Sequence, residues 1–154
     1  MSNTEQLSEK SSESKIGLKN GQLKPCSNSN NCVSSQSTNS KQMLSPLTLK
    51  CGVEKSRQFL LSILKDYKNA EIITSEDNYI HAEFRSSFFK FVDDVEFFFD
   101  EDDQQVHFKS ASRVGLSDFG VNRNRMKDIS IKYYQCMQFY QQAMNRRSNT
   151  DTTH

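Results

Sequence analysis

The sequence predicts a single α+β domain, an antiparallel three- to four-stranded sheet with two helices packed on one face. Three observations lead there. Apolar residues recur at helical spacing over residues 53–67 and again over 126–144, and between these segments they recur at every second position, the period of a strand. Nine of the eleven Phe fall between Phe84 and Phe119, so the core is aromatic and concentrated in mid-chain. Ser and Asn supply 18 of the first fifty residues, where long apolar side chains are sparse. Such a stretch buries too little apolar surface to offset the entropy of ordering it. The expected layout is a disordered N-terminal tail over 1–24, one domain over 25–146 and a C-terminal tail over 147–154.

The elements follow in order. Residues 25–51 read as irregular chain, rich in residues that favour turns and anchored by Met43, Leu44, Leu47 and Leu49. In the first helix Phe59, Ile63 and Tyr67 are four apart, with Leu60 and Leu64 beside them. A short strand over 71–74 precedes a clearer one, in which Ile80, Ala82 and Phe84 alternate with Tyr79, His81, Glu83 and Arg85. The next strand carries Phe91, Asp93, Val95, Phe97 and Phe99 on one face, and Val92, Asp94, Glu96 and Phe98 on the other. The acidic run 100–103 makes a hairpin turn. The last strand sets Val106, Phe108, Ser110 and Ser112 against His107, Lys109, Ala111 and Arg113, completing an antiparallel meander. Gly115, Ser117, Asp118 and Gly120 break the pattern. Asp118 or Asn122 then caps the long second helix, whose stripe is Met126, Ile129, Tyr133, Met137, Tyr140 and Met144.

Charge narrows the function classes. With 20 basic and 19 acidic residues and no clustered basic stripe, nucleic-acid binding is disfavoured. No stretch reaches the ~20 apolar residues of a membrane span. Glu5, Glu9 and Glu13 argue against a targeting segment at the start, so the reading is a soluble cytoplasmic protein. Cys26, Cys32, Cys51 and Cys136 form no CxxC pair. Cys26 and Cys32 are a candidate redox or structural pair, bonded should the compartment be oxidising.

Three segments, CSNSNNCVSSQ, YIHAEFRSSFFKFVDDVEFFFD and SASRVGLSDFGVNRNRM, occur in that order between Pro25 and Met144. Together they resemble the domain-of-unknown-function 1499 family, in which an Asn-Cys-Val-Ser-Ser segment, an Asp-Asp-Val-Glu-Phe strand and an Asp-Phe-Gly-Val-Asn-Arg run recur. The resemblance implies a shared domain and a shared surface, without an established chemistry. Ser27 stands where Pro is frequent in the family, and many members look exported or membrane-tethered.

Candidate chemistry centres on Asp93, a carboxylate on the apolar face of its strand, which requires a charged or hydrogen-bonded partner if buried. Ser110 and Ser112 on the next strand are positioned to donate to it, and Arg123 or Arg125 at the helix start to supply the charge. One reading is a network that locks helix to sheet. The other is a ligand site at the sheet–helix junction, formed by Asp93, Ser110, Ser112, Arg113, Asp118, Asn122 and Arg123, for a small anionic or polar ligand. On the opposite face Asp94 and Glu96, with His81 or His107, are weak metal candidates. A solvated cross-strand charge ladder is the plainer account there. No particular cofactor is indicated. The functional expectation is a non-enzymatic ligand-binding or accessory module. The alternatives are an enzyme using Asp93 or Asp94 as acid or base, and a protein-interaction domain whose contact is the Phe98 and Tyr79 face.

Overall fold

A computed structural model of the chain describes residues 13–27, 30–87, 91–115, 118 and 120–152. Ser117, which was expected to help break the strand pattern, lies outside them, as do 1–12 of the expected tail and 153–154 at the other end. The alternating central segments form strands β5 (Ala70–Glu76), β6 (Tyr79–Arg85), β7 (Val92–Asp100) and β8 (Gln105–Ser112), an antiparallel meander. A bulge between Ile72 and Thr74 kinks β5 at the sheet's edge. Ile80, Ala82, Phe84, Val95, Phe97, Phe99, Val106 and Phe108 all point to one face and are buried. Strand alternation had placed every one of them there, because a period of two leaves each residue only one face to choose.

That face is covered by α1 (Val53–Asp66) and α2 (Val121–Thr150), which contact each other. Leu60, Ile63 and Leu64 of α1 and Met126, Ile129, Tyr133 and Met137 of α2 complete the core. Tyr133 is fully buried, its hydroxyl donating to the Thr48 carbonyl at 2.6 Å and 2.8 Å from Ser56 Oγ. Helix α2 continues through 147–150, which the sequence reading had assigned to a tail. No helix among the described residues is long and apolar enough to cross a membrane.

The sheet has six strands, not three or four. The additions are β3 (Cys32–Ser34) and β4 (Leu47–Thr48), both antiparallel to β8. They lie in the segment read as irregular chain. Two or three residues show no periodicity, and their pairing is fixed by the register of β8 rather than by their own pattern.

A second departure lies before them. Residues 13–24, read as tail, contain a hairpin of β1 (Leu18–Lys19) and β2 (Gln22–Leu23), pairing Leu18 with Leu23. Asn20 and Gly21 join its strands with φ of 53° and 72°. Positive φ at both turn residues is the two-residue hairpin geometry that Asn-Gly favours. This strap crosses the outer face of the sheet, opposite the helices, and Leu18 and Leu23 pack on Tyr79 and Phe98. Tyr79 and Phe98 are thereby buried, so the apolar contact surface expected of them is taken by the chain itself.

Candidate functional site

At the sheet–helix junction Asp93 is buried, and Arg125 donates to its Oδ2 at 2.8 Å. The same guanidinium donates to Ser110 Oγ at 3.1 Å and Asn122 Oδ1 at 2.7 Å, and stacks 4.6 Å above the Phe84 ring. Ser110 donates to Asn122 Oδ1 at 2.6 Å. Asn122 Nδ2 in turn donates to Ser112 Oγ, Asp118 Oδ2 and the Asn31 carbonyl at 2.7–3.1 Å. Of the residues expected at this site, the structure brings together Asp93, Ser110, Ser112, Asp118 and Asn122, with Arg125 as the charge partner. Arg123 is elsewhere: two residues before Arg125 on α2, it faces away from the junction and donates to the carbonyls of Lys41 and Met43. Arg113 lies on the opposite face of the sheet.

The start of α2 accounts for another expectation. Gly120 holds the N-cap position at φ 80°, a left-handed conformation open to glycine. Asp118 accepts from the amides of Gly120 and Asn122 at 2.8 and 3.1 Å. The chain's own carboxylate thus meets the helix N-terminus, where an anion is favoured. Asp93 is also engaged, buried with its Oδ2 accepting from Arg125.

The outer face differs most from expectation. Its charges are not a solvated ladder: Glu96 is 0 % exposed, Lys109 and His81 3 %, and Asp94 8 %. Register sets Glu96 beside Lys109 and His81. Glu96 Oε1 accepts from the Tyr79 hydroxyl and the Gly17 amide, both at 2.7 Å. Lys109 Nζ donates to the Lys15 carbonyl at 2.9 Å. A buried carboxylate and a buried ammonium therefore hold the strap by its backbone, which is how both charges are desolvated without being orphaned. Burial pulls the Lys109 ammonium below its ordinary pKa, against the opposing pull of Glu96. Burial, and then the bond to Glu96, push the Tyr79 phenol far above its own.

Asp94 accepts from Arg113 Nε at 2.8 Å and Nη2 at 2.9 Å, a two-pronged pair, and lies 2.7 Å from His81 Nε2. Arg113 also donates to Glu83 at 2.6 Å. Burial alone would raise the Asp94 carboxyl, but the hydrogen bonds from His81 and Arg113 outweigh it and hold the group down to about 2. A general acid or base works best with a pKa near working pH, and these bonds move Asp94 away from it. Of the two weak metal candidates, Asp94 and one Glu96 oxygen already accept from cationic or donor groups.

Where the strap leaves the sheet, a cleft of about 810 Å³ opens. Its lining includes Lys15, Lys24, Cys26, Asn31, Cys32, Asp94, Glu96, Lys109, Ser112 and Arg113. Glu96 Oε2 is buried and accepts no hydrogen bond among the described residues, with Lys109 Nζ 3.9 Å away. Cys26 and Cys32 are joined by a disulfide, which holds β3's first residue to the cleft wall. The three segments that carried the family resemblance meet at this place, through Asn31 and Cys32, through Asp94 and Glu96, and through Ser112 and Arg113. Sequence reasoning missed Lys15, Lys24 and Lys109 as cleft residues. The Asn-Gly turn between Leu18 and Leu23 was the available signal for the strap that buries Lys109.

Fold and site together define an α+β domain with helices over one sheet face and a chain strap over a charged cleft on the other. The chain belongs to the family described as protein of unknown function (DUF1499), which matches residues 22–132. Comparisons with curated proteins and with solved structures return no match.

Proposed function

We propose that the chain is a ligand-binding module that holds a small anionic or polar compound in the outer-face cleft. The observation that carries this reading is the Lys109–Glu96 pair: two buried charges line a cavity large enough for a metabolite, and one carboxylate oxygen accepts no hydrogen bond among the described residues. Buried polar groups are ordinarily satisfied, and those that are not often face a ligand. Four cationic side chains against two carboxylates line the cleft, which favours a polar guest with acceptor oxygens for the cations and a donor for Glu96 Oε2. In this reading the junction cluster around Asp93 is architectural, since its members bond one another.

A thermal-shift screen against inorganic phosphate, nucleotides and organic acids tests both parts, with Lys109→Met and Asp93→Asn in parallel. A compound at about a hundred times its dissociation constant adds about 2.7 kcal/mol, roughly five degrees or more for a domain of this size. Wild type and Asp93→Asn are expected to respond, Asp93→Asn from a lower starting melting temperature, while folded Lys109→Met does not. Stabilisation of wild type by none of the compounds would overturn the reading. A response lost in Asp93→Asn and kept in Lys109→Met would move the site to the junction.

The cytoplasmic location suggested by the sequence belongs to the same reading and has its own check. Disulfides such as Cys26–Cys32 persist in oxidising compartments. Thiol trapping in intact cells is expected to find Cys26 and Cys32 reduced if the protein resides in the cytoplasm, and bonded if it does not.

A further inference from the structure

The turn between β7 and β8 carries a second polar cluster, none of whose residues lines the cleft. Donor atoms of Asp100, Asp103 and His107 lie within 4.8 Å of one another. Acidic turn residues often gather in this way, and here Asp100 Oδ1 merely accepts from the amides of Asp102 and Asp103. His107 sets this turn apart. It is 7 % exposed and its ring stacks on Phe98. Its Nε2 is buried and has no hydrogen-bond partner among the described residues. Asp103 Oδ2 stands 3.9 Å from that nitrogen, too far for a hydrogen bond.

Ser35 is the hydrogen-bond partner of the other ring nitrogen, Nδ1. Its Oγ accepts from the Phe108 amide at 2.9 Å, donates to the Phe108 carbonyl at 3.4 Å and lies 3.2 Å from His107 Nδ1. A hydroxyl has one proton and two lone pairs. With the proton directed to Phe108, the remaining lone pair accepts Nδ1–H, which leaves Nε2 with a lone pair directed at the two carboxylates. A histidine whose other ring N–H is fixed in this way is the usual preparation for metal ligation.

We propose that Asp100, Asp103 and His107 bind a divalent transition-metal cation such as Zn²⁺ at the tip of the β7–β8 hairpin. Tetrahedral ligand bonds of about 2.0–2.2 Å place donors about 3.3–3.6 Å apart around the ion, so the 3.9 Å between Nε2 and Asp103 Oδ2 closes to that spacing by a small rotation of the exposed Asp103 side chain. Two carboxylates neutralise its charge. One imidazole in the set favours Zn²⁺ over Mg²⁺ or Ca²⁺, which prefer oxygen ligands throughout.

The test is calorimetric titration of the chelator-treated full chain with zinc chloride, then with magnesium chloride, alongside ring-nitrogen NMR of His107. One Zn²⁺ per chain and a zinc-dependent shift of Nε2 are expected, with Mg²⁺ binding at least tenfold weaker. Asp103→Asn removes an exposed carboxylate that the fold does not need, and is expected to weaken Zn²⁺ binding at least tenfold. His107→Gln, if folded, abolishes it. Failure of wild type to bind at millimolar zinc would overturn the proposal. So would unchanged affinity in Asp103→Asn, which would place the ion on other groups such as Cys51 or Cys136.

Discussion

Asp94 shows how one side chain links the outer face to pH. Its folded-state pKa of about 2 lies below the ordinary 3.8, so the folded protein holds the ionised form more strongly than the unfolded chain does. The resulting stabilisation is fully present above about pH 4 and is lost as pH falls through about 2. Acid unfolding followed by circular dichroism is therefore expected to steepen across that window. Asp94→Asn is expected to lower stability by roughly 2 kcal/mol at neutral pH and to flatten the acid limb. The Asp93 cluster was partly legible beforehand, because strand alternation assigns a face and a buried carboxylate there demands a partner. The choice of Arg125 over Arg123 was not: two helix positions turn a side chain by about 200°, and which one meets the sheet depends on how α2 rolls against it. Arg113 was misplaced for a plainer reason. It follows Ser112 and alternation sends it to the outer face, where Asp94 and Glu83 hold it.

Among the elements, the long periodic ones were legible and the short ones were not. Helix α1 and strands β6, β7 and β8 contain enough repeats for their period to show, and each lies within a residue or two of its expected span. Strands β1–β4 have two or three residues each and owe their existence to partners far along the chain. The Cys26–Cys32 bond ties this part of the chain together, closing a short loop beside β3. Constraining so short a loop in the unfolded chain is worth about 2 kcal/mol on the chain-entropy account. Reduction, or the double substitution Cys26→Ser with Cys32→Ser, is expected to lower stability by about that amount in a urea titration. The α1, α2 and β5–β8 core should persist, since neither cysteine packs within it. An unchanged midpoint would mean that the native loop offsets the gain through strain.

For the molecule as a whole, stability should fall outward from the meander. Contacts within β5–β8 join neighbours in sequence, whereas the strap reaches Glu96 and Lys109 across more than half the chain and is held by a few polar bonds and the packing of Leu18 and Leu23. Hydrogen exchange is expected to be slowest in β6, β7 and the buried face of α2, and fastest in β1 and β2. Equal protection across strap and meander would show a single cooperative unit instead. The bulge in β5 has a consequence of another kind. An edge strand offers unused amides and carbonyls to any extended chain that can lie flat beside it. In β5 the register slips at Ile72, Ile73 is left out of the ladder, and Glu71 and Glu76 add charge along the ribbon. Two such edges cannot run in step for more than a few residues before their kinks and carboxylates collide. The bend therefore guards against sheets joining edge to edge into fibrils, a hazard that a straight strand carrying Ile72 and Ile73 would invite.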